Sequence, residues 1–140
     1  MRFIELKNDD PLIALAIEDE LKNSKFEYIS SSINRTYLLF DDTENKIVGG
    51  INYSVSLDSS DILFIYINKE YRLKGYSKEL LLKSLNELKK DNIKEVFLEV
   101  KRANIIAYNL YKKCNFIEIG ERKNYYSDGS DAILMKKVLG

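Results

Sequence analysis

Three segments decide the fold: Ile62-Leu63-Phe64-Ile65-Tyr66-Ile67, then Arg72-Leu73-Lys74-Gly75-Tyr76-Ser77, and further on Val96-Phe97-Leu98-Glu99-Val100. The first is a continuous apolar run, which predicts a strand buried on both faces. From Ser77 to about Lys90, the side chains of Leu81, Leu85 and Leu88 fall on one helical face, widened by Leu80 and Leu82. The third segment reads as a strand again. Strand, long helix, strand is a right-handed crossover unit, which joins two parallel strands of one sheet.

Working outward, Thr36 to Phe40 and Ile47 to Leu57 read as a hairpin around the turn-forming cluster Asp41-Asp42-Thr43-Glu44-Asn45. Gly49-Gly50 within its second strand predicts a bulge or a close backbone approach. Asp58-Ser59-Ser60-Asp61 reads as another turn. Toward the N-terminus, Phe3 to Leu6 predicts a short strand. Asp10-Pro11 starts a helix reaching about Leu21, and Phe26, Ile29 and Ile33 suggest a second one. Toward the C-terminus, Asn104 to Lys113 predicts a helix with Ile105, Tyr108 and Tyr111 on one side, ended by a left-handed Asn115. Phe116 to Ile119 and Asp131 to Val138 form a last strand pair, separated by Tyr126-Ser127-Asp128-Gly129-Ser130. The expected architecture is an α/β (α+β) domain around a mixed sheet.

Composition narrows the chemistry. The 140 residues suit one domain, 1–140. Lys plus Arg and Asp plus Glu both number 22, and the zero net charge argues against nucleic acid as a partner. There is no histidine, which excludes Ser-His-Asp and Cys-His pairs and His-containing metal sites. Cys114 is the only cysteine, so an internal disulfide is excluded, and its simplest role is that of a small buried apolar residue. Any acid or base must be a carboxylate, Tyr, Lys, Cys, a terminus or water. The N-terminus goes straight into mixed charge, and no apolar run approaches the roughly 20 residues of a membrane span. A cytoplasmic protein without a membrane partner is expected.

Three constellations can carry chemistry. Arg72 to Ser77 precedes a helix whose first N–H groups form a potential phosphate site, with Lys74 and Lys78 beside it; the alternative is a basic loop capping a helix. Glu99 interrupts an apolar strand, either as an ion-pair partner of Lys101 or Arg102 or as a general base. Asn104 suits a helix N-cap, and tyrosines at the spacing of Tyr108 and Tyr111 usually pack a core.

Together these segments resemble the GNAT superfamily of acyl-CoA-dependent N-acetyltransferases, from about Ile62 to Leu139. Arg72-Leu-Lys-Gly75-Tyr-Ser77 looks like that family's pyrophosphate loop, Q/R-x-x-G-x-G/A, with Ser77 at the final small position. Within the superfamily the similarity is greatest to the bacterial ribosomal-protein-alanine N-acetyltransferases. It rests on Leu98 to Asn104, Ala107, Leu110-Tyr111, Phe116, Arg122-Lys123-Asn124-Tyr125-Tyr126 and Asp131 to Met135. Asn115 stands where that pattern has Gly, and the N-terminal third matches poorly.

The resemblance implies a GNAT fold, with a mostly antiparallel sheet of six to seven strands flanked by about four helices. It implies acetyl-CoA as co-substrate, no metal, and a monomer or homodimer. Glu99 would be the general base, and Tyr111 the acid that protonates the departing thiolate. Asn104 would contact the cofactor. Ile65, Tyr66 and Ile67 would offer backbone groups to the pantetheine arm. Arg72, Leu73, Lys74, Gly75, Tyr76, Ser77 and Lys78 would hold the pyrophosphate. The expected acceptor is the N-terminal amine of a protein, such as a ribosomal protein. The rivals are a small-molecule amine (a polyamine or an antibiotic) and a non-catalytic acyl-CoA-binding domain.

Overall fold

The computed structural model describes residues 1–6 and 34–140; the two helices expected between Asp10 and Ile33 lie outside the described residues. The strands are β1 (Arg2–Glu5), β2 (Asn34–Asp41), β3 (Lys46–Ser56), β4 (Ser59–Ile67), β5 (Glu95–Lys101), β6 (Ile117–Arg122) and β7 (Ala132–Val138). The helices are α1 (Tyr76–Lys90) and α2 (Ile105–Lys113), and a 3₁₀ turn spans Lys69–Tyr71. One seven-stranded sheet runs β1-β2-β3-β4-β5-β7-β6. Only β4 and β5 pair in parallel. The crossover expected from the three opening segments is therefore present, with α1 as its helix.

That parallel pairing is short. It comprises Ser59↔Glu95, Ser60↔Val96 and Asp61↔Phe97. On its other side β4 stays paired with β3 as far as Gly49↔Ile67, while β5 stays paired with β7 as far as Lys101↔Ala132. Ile62 to Ile67 and Leu98 to Lys101 thus face each other without ladder bonds, and the sheet parts between them. This corrects the expectation that Ile62 to Ile67 is buried on both faces: Leu63 is 50% exposed, because its strand borders open space. The turn expected over Asp58 to Asp61 is also shorter. Only Leu57 and Asp58 turn, so Asp61 belongs to β4.

Both helices lie on one side of the sheet. Leu80, Leu81, Leu85 and Leu88 of α1, with Tyr111 of α2, pack on Tyr37, Leu39, Tyr53, Val96, Leu98, Val100 and Met135. Leu82, expected to widen the α1 stripe, is exposed, as is Ile105 at the start of α2. Tyr53 fixes α1 to β3: its hydroxyl donates to Ser84 Oγ (2.7 Å), which donates to the Leu81 carbonyl (3.0 Å). On the other side, Leu6, Leu38, Phe40 and Ile47 form a smaller buried cluster, flanked by Phe64 and Tyr66.

Two local devices set the frame. At Gly49 the β2–β3 register shifts, and a Cβ would overlap the Tyr66 carbonyl oxygen and stand 2.6 Å from Cδ1 of Ile67. Both readings of Gly49-Gly50, bulge and close approach, hold there. At the end of α2, Asn115 has φ 68. The Phe116 amide donates to the Tyr111 carbonyl (3.0 Å) and the Asn115 amide to that of Lys112 (3.1 Å). These two bonds make a Schellman motif, so the chain turns sharply into β6. β6 is an edge strand, and all six of its residues are exposed.

Gly49→Ala would force β4 away from β3. The expected loss is about 2–3 kcal/mol, read as a lowered urea midpoint at constant m-value.

Candidate active site

The loop before α1 is shaped by backbone geometry. Gly75 has φ 85 and forms the N-cap of α1 without any side-chain hydrogen bond, and a Cβ there would meet nothing within 4 Å. Glycine is thus required for its torsion, and the space beside it is open. The first N–H groups of α1 point along the positive end of the helix dipole, where an anion is stabilised. Leu73 also has a positive φ, 63, a conformation that costs a bulky residue energy, and its side chain is 97% exposed. Lys74 and Lys78 are exposed and have no ion-pair partner among the described residues. Arg72 turns inward instead: Nε donates to the Ile67 carbonyl (2.8 Å), and the guanidinium lies 5.1 Å from the Tyr66 ring centre. Its visible work is to tie the loop to the end of β4.

Where the sheet parts, an open cleft of about 550 Å³ lies, among the described residues, on the face away from α1 and α2. Leu98 and Val100 point into the helix-side core, so the alternation of β5 turns Glu99 the other way. Glu99 lines the cleft with Asp61 and Leu63 of β4, Ile119 and Arg122 of β6, and Tyr126. Its side chain is 35% exposed, and its Oε1 lies 3.5 Å from Arg122 Nε. The expected partners Lys101 and Arg102 are engaged elsewhere, with Asp128 and Glu121 respectively. Lys101, helped by Ser130, holds the Asp128 carboxyl well below the usual carboxylate range. The same ammonium sits 5.6 Å from the Tyr126 ring centre, and Arg122 sits 5.4 Å from that of Tyr125. Burial, with the nearby Glu99 charge, raises the Tyr126 phenol.

Tyr111 lies on the opposite side of β5, within the helix-side core. It is 6% exposed and packs edge-on against Phe116, with ring centres 5.7 Å apart. Burial pushes its phenol up to about 12, so it stays protonated through neutral pH. Cys114 is buried as expected, which raises its thiol. Tyr108 packs half-buried at the margin of the same core, and its hydroxyl donates to Glu118 at 2.6 Å.

The residues singled out from sequence fall into four groups. Arg72 to Lys78 form the loop and first turn of α1. Ile65, Tyr66 and Ile67 lie on β4 beyond its last pairing with β5, with the Ile67 carbonyl already accepting from Arg72. Asn104 caps α2, its Oδ1 accepting from the Ala107 amide at 3.2 Å. Glu99 and Tyr111 flank the same strand from opposite faces rather than sharing one cleft. Asp61 was missed, because it was read as part of a turn. Its carboxylate lines the cleft, burial raises its pKa, and it has no hydrogen-bond or ion-pair partner among the described residues.

The sheet parts between its two parallel strands, and a glycine loop stands at the head of the crossover helix. The profile of the Acetyltransferase (GNAT) family matches residues 3–116, and the chain belongs to that family. The [ribosomal protein bS18]-alanine N-acetyltransferase of Escherichia coli K12 is 34% identical over 110 residues, covering 76% of this chain and 74% of that one. The crystal structure of the E. coli ribosomal-protein-S18-alanine N-acetyltransferase superposes with a TM-score of 0.82 at 23% identity, over 99% of this chain and 95% of that one. An N-alpha-acetyltransferase of Saccharolobus solfataricus is 42% identical over 79 residues, 56% of this chain; the match spans only 47% of that protein's length. A Bacillus anthracis protein named as a streptothricin acetyltransferase, solved in complex with acetyl coenzyme A, has a TM-score of 0.70 at 25% identity, over 79% of this chain and 65% of that one. No helix among the described residues is long and apolar enough to cross a membrane.

The buried phenols have a consequence for stability. Burial raises Tyr111 and Tyr71 to about 12, above the value near 10 of an exposed tyrosine. Their contribution is fully present below pH ~10 and is lost as pH rises toward about 12, because the unfolded chain releases those protons first. The urea midpoint should fall over that window, and less steeply in Tyr111→Phe.

Proposed function

We propose that residues 1–140 act as a single cytoplasmic GNAT domain that moves the acetyl group of acetyl-CoA directly to the N-terminal α-amine of a protein. The observation that carries this reading is the gap between β4 and β5, which has Glu99 on one face and Tyr111 on the other. The E. coli relative's name supports a ribosomal-protein N-terminus as acceptor, and the acetyl-CoA complex of the Bacillus anthracis protein supports the co-substrate.

The chain's features fit such a co-substrate. The open space beside Gly75, the first N–H groups of α1, Lys74 and Lys78 suit a pyrophosphate. The Ile65 backbone, which faces the gap while that of Tyr66 faces β3, can add an extended amide-bearing arm as if it were a strand. An N–H along that edge can stabilise charge developing on the thioester oxygen. Glu99 takes the proton of the attacking amine, directly or through water. A terminal ammonium titrates near ~8 and a lysine near ~10.4, so the α-amine is the easier nucleophile to prepare. Arg122 holds the Glu99 carboxylate in place between turnovers. Tyr111 donates its proton to the departing sulfur. The burial that raises its phenol would raise a thiol beside it in the same sense, which keeps the two acidities close.

Glu99→Gln and Tyr111→Phe should each lower kcat on an Ala-starting peptide by about a hundredfold or more while CoA affinity, read by calorimetry, changes little. Unchanged turnover in Tyr111→Phe would remove it as the acid. Lys74→Glu should instead weaken CoA binding, and by a larger factor at low salt than at high salt. Turnover of small amines with none on any peptide would replace the protein acceptor by the small-molecule one.

A further inference from the structure

Asp61 is a carboxylate in the cleft that neither the fold nor the proposed chemistry uses. It lies on β4 at the last paired position, opposite Phe97, and it lines the same cleft as Glu99. Glu99 is offset two residues along β5. Strand spacing of about 4.8 Å and a rise of about 3.3 Å per residue separate the two Cα atoms by roughly 8 Å. The local charges differ sharply. Glu99 is faced by Arg122, whereas Asp61 has no ion-pair partner among the described residues. Apolar side chains, Leu63, Phe97 and Leu134 among them, share the lining with the polar groups. The gap in the sheet begins just beyond Asp61 and runs past Glu99, so the reacting nitrogen belongs at Glu99 and not at Asp61.

We propose that Asp61 determines acceptor specificity by pairing with a second cationic group on the acceptor, namely the side chain of a lysine or arginine next to the N-terminal residue. This deepens the peptide-acceptor reading above and rests on it. In an extended peptide successive Cα atoms stand about 3.8 Å apart, and a long second side chain reaches several ångströms beyond its own, enough to span the roughly 8 Å between Glu99 and Asp61. The Asp61 side chain is exposed at the wall of the cleft, so an arriving cation can reach it directly, and the pair gains in strength as the acceptor displaces water from the cleft.

The test compares Ala-Lys and Ala-norleucine peptides, which differ in charge at nearly equal length, and adds a linear diamine against a monoamine of the same length. The wild-type chain should favour the Ala-Lys peptide in kcat/KM by about tenfold, and the preference should shrink as salt rises. In D61N the ratio should collapse toward one with CoA affinity retained, and D61E should restore most of it. Equal use of both peptides by the wild type, or an equal loss on both in D61N, would overturn the proposal. A charge preference that D61N abolishes only between diamine and monoamine, with no peptide turned over, would support Asp61 as a cation site and overturn the peptide reading alone.

Discussion

The rest of the structure depends on the early end of the β4–β5 ladder. Two parallel strands that begin paired at Ser59↔Glu95 and stop at Asp61↔Phe97 leave backbone groups without partners on both strands. Such groups are costly unless they reach water or another chain. The remainder of the sheet does not follow the rupture, because each strand is held from its far side. β3 clamps β4 to its end, and β7 clamps β5 to its end. The opening is therefore a fixed feature of a rigid sheet. Gly49 belongs to the same arrangement, since its missing side chain lets β3 sit against the Tyr66 carbonyl.

From that gap the division of labour follows. One face receives α1 and α2, which supply the loop, the helix end and the buried Tyr111. The other carries, among the described residues, a small apolar cluster around Leu38 and Ile47 and a cleft lined by two carboxylates, an arginine and Tyr126. A ligand lying in the gap would touch both faces at once. Separating the two sides also separates their electrostatics: Tyr111 sits in an apolar setting, whereas Glu99 sits among charges near water. A chain without histidine thereby obtains two groups of distinct character from ordinary residues.

Much of this was legible in the sequence because local chemistry and tertiary structure agree. The leucine stripe of α1, the strands around it and the left-handed Asn115 are each dictated by periodicity or torsion. The failures occur where tertiary context overrides pattern. An apolar run such as Ile62 to Ile67 normally signals burial, yet here the neighbouring strand departs and Leu63 is left exposed. Glu99 was recognised as significant, but its partner lies 23 positions away in sequence, on a strand at the sheet's far edge, and no local spacing reveals that. Asp61 was hidden for a simpler reason. Asp and Ser are strong turn formers, so the expected turn runs three residues past the real one.

The walls of the cleft differ in how firmly they are held. β4 and β5 are interior strands, fixed on their far sides by β3 and β7. β6, which carries Ile119 and Arg122, has one neighbour and no buried residue, and much of its anchorage is ionic. Arg102 and Lys123 reach Glu121, and Lys123 also reaches Asp131 at 3.5 Å. Local opening free energies are smallest where few apolar contacts must break. The amides of β6 should therefore exchange with solvent through small fluctuations, while those of β3 and β5 wait for global unfolding. The cleft thus pairs two rigid strands with a compliant one. A molecule entering the cleft would meet one wall that can yield and two that cannot.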